Sequence, residues 1–304
     1  MTVQPSVKLD RAALKGSLAL LAMVLGLVGL SGCGSSTRFA PKGIVFASER
    51  DDHPSRTQIY TVAADGQGLK RLTRGREQDL SPAWSADGNR IAFVRESGAH
   101  HSVFVVRSDG SHLALLVRDA SAPAWSPDGR RLAFVRNHGL WVIGADGGGE
   151  RRIASDAEGG TWSPDGRRIA FSSAGLGHAK GIWIAQVDGG GESKLTGADD
   201  GGFPAWSPDG SAIAFVRGAD DRTNGELWLV TSNNSGHAKP LVKGGGSYSV
   251  LSPSWSPDGL NIAFDRLEGD EEFGPDQIWT VAIADGSLRR VTDGPVDLFP
   301  SWRG

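Results

Sequence analysis

The sequence predicts an all-β chain, a six-bladed β-propeller of four-stranded antiparallel blades closed by N- and C-terminal strands that share one blade. Three observations carry this expectation. A tryptophan motif recurs at blade-length spacing, an aromatic strand recurs between its copies, and each end of the chain holds the half-repeat that the other end lacks.

The tryptophan motif is fullest at Pro123–Val135, which reads P-A-W-S-P-D-G-R-R-L-A-F-V. Trp84 opens W-S-A-D-G-N-R-I-A-F-V and Trp162 opens W-S-P-D-G-R-R-I-A-F. Trp206 opens W-S-P-D-G-S-A-I-A-F-V, Trp255 opens W-S-P-D-G-L-N-I-A-F-D, and a clipped copy ends at Trp302. The successive tryptophans stand 41, 37, 44, 49 and 47 residues apart. Each copy reads as strand, tight turn, strand. Pro127 presets the backbone for the second position of a type I turn, and Gly129 supplies the left-handed residue that closes the hairpin. Asp128 is then a turn residue, despite the serine beside it. Leu132-Ala133-Phe134-Val135 is apolar on both faces, as a strand sandwiched between neighbouring blades must be. The six tryptophans are the packing residues between blades, each removing ~150–250 Å² from water.

The second unit is an aromatic strand running into a turn. Its copies are Ile59–Val62, Val103–Val106, Leu140–Ile143, Ile182–Ala185, Leu227–Val230 and Ile278–Val281. Five lead into Asp-Gly, and the sixth uses Asn233-Asn234-Ser235-Gly236. A short fourth strand follows each, as in Arg71-Leu72-Thr73. The repeat is therefore a four-stranded meander. Gly43-Ile44-Val45-Phe46-Ala47 is the I-A-F strand without its tryptophan turn, and Phe299-Pro300-Ser301-Trp302 is the missing partner. Joined, they complete a sixth blade across residues 42–304.

The first 41 residues differ. Lys8, Arg11 and Lys15 precede an apolar run from Leu18 to Leu30 that ends in Leu30-Ser31-Gly32-Cys33. A basic region, a short apolar core and small residues describe an export signal over residues 1–32, and the run is short for a membrane span. The last four residues resemble the lipobox of bacterial lipoproteins. That resemblance implies cleavage before Cys33 and lipidation of its sulfur and new amino terminus. Cys33 is the chain's one cysteine, so neither a disulfide nor a metal cluster accounts for it. Residues 33–41 form a short linker, placing the propeller close to a membrane on its exported side, periplasmic or extracellular. The net charge of −3 gives no bias toward nucleic acid. No cofactor is expected, and no obligate oligomer is implied.

W-S-P-D-G-x-x-I-A-F, followed by an aromatic strand, Asp-Gly and L-T, is similar to the repeat of the TolB-like β-propeller family. The resemblance covers essentially all of residues 42–304. The family's namesake is a soluble periplasmic protein with an α/β domain ahead of its propeller, where this chain has a lipobox and a short linker. A part in the Tol–Pal system is therefore not implied, and a membrane-tethered relative with another partner is the expectation.

In such a meander the W-S-P-D-G and Asp-Gly turns share one face. The opposite face carries the connections between second and third strands and between blades, and binding residues are expected there. Aspartates recur just ahead of the tryptophan strands: Asp79, Asp119, Asp156, Asp200 and Asp297. Two readings stand side by side. They form a negative funnel at the channel mouth for a cation, a basic ligand or a basic partner segment, or they are local hydrogen-bonding residues repeated because the blade is. His53, His100, His101, His138 and His178 fall on the same face. Some propeller lyases resembling the family hold metal through histidine there. These histidines come from different blades, and the adjacent pair His100-His101 points apart on an extended chain. Serine hydrolase chemistry lacks a G-x-S-x-G after a strand. The leading expectation is a membrane-anchored binding scaffold for an envelope protein or polymer. A metal-dependent lyase or hydrolase acting on envelope carbohydrate is the alternative.

Overall fold

The computed structural model describes residues 43–50, 56–173, 175–197, 201–218, 225–233, 238–244, 248–268 and 275–303. Cys33, with the rest of residues 1–42, lies outside it, as do Asp200 and His53. The described chain forms six four-stranded antiparallel sheets. Blade 1 joins β1 (Gly43–Ser48), β2 (Gln58–Ala63) and β3 (Lys70–Arg71) to the last strand, β24 (Asp297–Trp302), so the two chain ends close the ring. Blade 2 holds β4 (Gln78–Trp84), β5 (Arg90–Ser97), β6 (His100–Arg107) and β7 (Ala114–Arg118). Blade 3 holds β8 (Ser121–Trp125), β9 (Arg131–Arg136), β10 (Gly139–Gly144) and β11 (Arg151–Ala154). Blade 4 is β12 (Gly159–Trp162), β13 (Arg168–Ser173), β14 (Gly181–Gln186) and β15 (Glu192–Lys194). Blade 5 is β16 (Gly202–Trp206), β17 (Ala212–Arg217), β18 (Glu226–Thr231) and β19 (Lys239–Val242). Blade 6 is β20 (Tyr248–Trp255), β21 (Asn261–Glu268), β22 (Asp276–Ala282) and β23 (Leu288–Arg290). Each tryptophan strand touches the next, from β24 through β4, β8, β12, β16 and β20 back to β24.

The repeated residues do the packing expected of them. Phe46, Phe93, Phe134, Phe171, Phe215 and Phe264 are fully buried, and all six repeat tryptophans, Trp84, Trp125, Trp162, Trp206, Trp255 and Trp302, are buried. The indole nitrogens of Trp162 and Trp255 donate to the carbonyls of Ala124 and Ala205 in the preceding blade, both at 3.0 Å. The arginine opening the I-A-F strand of one blade lies over the tryptophan of the next. Arg90 is 4.4 Å from the Trp125 ring, Arg131 4.7 Å from Trp162, and Arg168 4.8 Å from Trp206. Blades 5 and 6 carry Ala212 and Asn261 at that position, so the arginine latch stops there.

The tryptophan strands also carry a feature the repeat did not announce. The residue before proline has φ near +50° in five of them, at Ser81, Ala122, Phe203, Ser252 and Phe299. The ladder to the second strand shifts register at each of these places. Proline gives no N–H to the ladder and crowds the residue before it, so the strand bulges. Blade 4 has Gly159-Gly160 instead, and its ladder runs without a shift.

Candidate binding site on the loop face

The turn face repeats one arrangement five times. The Ser126 hydroxyl donates to Asp128 Oδ1 at 2.5 Å and accepts from the Arg131 N–H at 2.9 Å, while Asp128 also accepts from Arg130 N. The same Ser-to-Asp bond recurs at Ser85–Asp87, Ser163–Asp165, Ser207–Asp209 and Ser256–Asp258. Gly129 takes φ +66°, as the turn requires. These carboxylates are fully engaged within their own hairpins. Burial works against the charge on Asp128, but the Ser126 hydroxyl and the Arg130 N–H outweigh it and hold the carboxyl below its ordinary value.

On the loop face the recurring aspartates differ from blade to blade. Asp79 is buried and takes a bidentate pair of bonds from Arg95, both 2.7 Å. Burial pushes the Asp79 carboxyl up, while hydrogen bonding to that carboxylate raises Arg95. Asp297, also buried, accepts from the Ser48 hydroxyl at 2.6 Å and from both Nε and Nη2 of Arg50. Asp156 accepts three successive backbone N–H groups, from Leu176, Gly177 and His178, and the Ser173 hydroxyl. Burial opposes its charge, but these donors prevail and hold it below the usual range. In all three the partner sits at or just past the end of the second strand, so the carboxylate ties that strand end to the blade connection. Asp119 departs from this. It has φ +50° and a side chain 70% exposed, with His100 Nδ1 at 3.5 Å as its ionic neighbour. Arg136, which stands where Arg95 does in blade 2, turns instead to Glu150 and to the carbonyl of Arg118.

Asp119 borders a cleft of about 520 Å³ between blades 2 and 3, lined also by Ala99, His101, Ser121, Arg136, Asn137, His138 and Glu158. Two tight hairpins form its rim. In blade 2 the ladder continues to Glu96↔His101 and Ser97↔His100, turning through Gly98-Ala99. In blade 3 Asn137 and His138, at φ 48° and 55°, make a two-residue turn between Arg136 and Gly139. Both turns are two residues long, so the cleft walls are built on paired strands. His100 and His101 point to different partners, Asp119 and Glu96, the latter 3.0 Å from His101 Nδ1. Burial pushes the Glu96 carboxyl up and the charge of His101 works against that.

His178 belongs to another blade and another task. Its Nε2 is 2.6 Å from Glu192, and its ring lies edge-on to Trp183 at 4.5 Å. It pins the Gly175–His178 turn over Asp156. Among the described residues no three His, Cys, Asp or Glu side chains group as a metal site. Arg136, Asn137 and Glu158 were not singled out from sequence. Asn137-His138-Gly139 between two apolar strands is a hairpin signal that marks the first wall, and the arginine recurring after I-A-F-V marks the second.

Residues 44–223 match the family described as TolB beta propeller domain. Among solved structures, TolB from Acinetobacter baumannii superposes with a TM-score of 0.70 at 22% identity, covering 86% of this chain and 66% of that one. Among curated relatives, the Tol-Pal system protein TolB of Thioalkalivibrio sulfidiphilus is 31% identical over 106 residues, 35% of this chain and 22% of that protein. Dipeptidyl-peptidase 5 of Porphyromonas endodontalis is 35% identical over 60 residues, 20% of this chain and 9% of that protein. The matched segments thus span less than a quarter of either relative's own length.

Proposed function

The chain belongs to the TolB beta propeller domain family, and on that premise we propose that it is a binding scaffold of the cell envelope. It is held to a membrane by lipid on Cys33, exported to the periplasmic or extracellular side, and meets a protein or polymer partner on its loop face. Asp119 carries the reading. Where Asp79, Asp156 and Asp297 are drawn inside to fasten loops, the equivalent carboxylate of blade 3 is turned out beside a cleft. Asp200 stands at the same repeat position ahead of Trp206 and joins the proposal as a second carboxylate of that face. Asp119, Glu158, Arg136 and His138 together offer both signs of charge within one cleft, which suits a polar segment of a partner better than a uniformly charged polymer.

Capture from envelope extracts by the lipidated protein tests the reading. Asp119→Asn combined with Glu158→Gln is expected to lose the partner with the melting temperature unchanged, whereas undiminished recovery would remove the cleft from the account. The anchor has its own check: Cys33→Ala should abolish acylation and free the protein from membranes. The metal-dependent lyase or hydrolase reading is the less favoured one: His101 and His138 border the same cleft, but among the described residues no three His, Cys, Asp or Glu side chains group as a metal site.

A further inference from the structure

Six large apolar side chains stand exposed among the described residues: Leu69, Leu113, Leu115, Leu176, Leu260 and Leu288. Scattered singly, exposed leucines need no explanation. These are not scattered. Leu176 lies on the loop face, and the other five lie at or beside the turns of three consecutive blades, 6, 1 and 2. Leu69, Leu113 and Leu288 occupy one blade position, at the entry to the outer strand after Asp-Gly. In blades 3 and 4 that position holds Glu150 and Glu192.

The three blades are stitched side by side along this edge. Arg289, next to Leu288, donates to the Asp65 carbonyl in the blade 1 turn at 3.1 Å, and Lys70, next to Leu69, reaches the Asp109 carbonyl in the blade 2 turn at 3.4 Å. Leu288, Leu69 and Leu113 therefore follow one another around the rim. Leu115 extends the arc along β7, and Leu260, 63% exposed, extends it inward through the W-S-P-D-G turn of blade 6.

The described chain begins on the same face. Gly43 opens the second strand of blade 1 at the turn face, and its carbonyl accepts from Arg303 N at 2.9 Å. Blade 1 is the middle of the three. Cys33 precedes Gly43 by ten residues, a reach of roughly 33–36 Å at full extension. The charges along the arc are mixed. Lys70, Arg107, Arg289, Arg290 and Arg303 stand among Asp65, Asp87, Asp109, Asp258 and Asp285, and this balance favours apolar insertion over attraction to an anionic surface.

We propose that this leucine arc of blades 6, 1 and 2 is a lipid-docking edge, seating the propeller on the bilayer that holds its anchor and turning the loop-face cleft away from the membrane. The proposal rests on the lipid-anchor reading of Cys33. Because Cys33 is the only cysteine, an introduced cysteine is the sole free thiol of an acylated protein. Leu69→Cys, Leu113→Cys and Leu288→Cys, with Leu176→Cys as the opposite-face control, are labelled with a polarity-sensitive thiol dye. Each is reconstituted as the acylated protein in phosphatidylethanolamine/phosphatidylglycerol vesicles. The expected result is blue-shifted emission, quenched by brominated acyl chains, at positions 69, 113 and 288 and water-like emission at 176. Water-like emission at all four positions in a vesicle-bound protein overturns the docking edge and leaves the anchor standing. Dye uptake by the unmutated chain, with no vesicle binding, shows an unacylated Cys33 and overturns both. Shielding of the arc in cells but not in protein-free vesicles assigns it to a protein partner and overturns the proposal.

Discussion

On the turn face, Asp87, Asp128, Asp165 and Asp209 are each held below the ordinary carboxylate range, chiefly by a serine hydroxyl and backbone N–H groups that overcome whatever burial costs the charge. On the opposite half of blade 6, Asp265 sits fully buried where blades 2, 3 and 5 carry Val94, Val135 and Val216. Its register partner is Ile278 and Asp276 lies two residues from that partner, so both carboxyls share one sheet face. Burial first, and the Asp276 charge second, push Asp265 up to about 7. The repeated turn therefore stabilises its carboxylates as anions, and the departure from the repeat at Asp265 stabilises a carboxyl as the neutral acid. Where the blades agree, polar groups are spent on holding the fold. Where one blade breaks the pattern, as at Asp119 and Asp265, a titratable group is left with chemistry to spare.

The largest effect should come from the core that both faces share. Trp162→Ala empties a fully buried site that bridges blades 3 and 4 and is expected to cost about 3–5 kcal/mol in denaturant melts. A loss under about 1 kcal/mol would mean that the blades do not depend on this contact.

A pH series separates the two carboxylate classes. Asp265 keeps its proton in the folded state up to about pH 7, while the unfolded chain releases it near the ordinary carboxylate value. Stability therefore falls as pH rises between those two values and levels off above, by on the order of 4 kcal/mol. Asp265→Asn should flatten that slope, and an unchanged slope would place the titration elsewhere. The turn aspartates act with the opposite sign. Their stabilisation is present above the unfolded pKa and is lost as pH falls through their lowered folded values, so they sharpen the acid limb instead.

Smaller effects belong to the repeated turn. Ser126→Ala removes the bonds to Asp128 and from Arg131 N and should cost about 1–2 kcal/mol, with partner capture unaffected. Arg131→Ala, which lifts the guanidinium off Trp162 and from the Gly166 carbonyl, should cost about 1 kcal/mol. If either variant abolished capture while the protein stayed folded, the division of labour between the faces would be wrong.

Blade number, closure by both chain ends, the turn role of Asp128 and the packing role of the tryptophans were legible in the sequence, because each recurs and recurrence averages out local accident. The bulges before Pro82, Pro123, Pro204, Pro253 and Pro300 were harder to read, since proline signals a break in a ladder without saying which residue takes the left-handed backbone. The recurring aspartates were visible, but their fates were not. Asp79 stands five residues ahead of its tryptophan and Asp119 six, a small difference beside their fates: one is buried and bonded to Arg95, the other exposed while Arg136 is drawn off to Glu150. The leucine arc is not legible in the sequence, because it joins residues from β7, β23 and three turns whose blades become neighbours only once the ring closes.

The most direct test is a photo-crosslinking residue placed at His138, in the loop-face cleft, and separately at Arg130, on the turn face of the same blade, in cells producing the full chain. A discrete protein or polymer adduct from position 138 and none from position 130 is the predicted result. Adducts from position 130 alone, or equally from both, would contradict a scaffold that meets its partner through the cleft between blades 2 and 3.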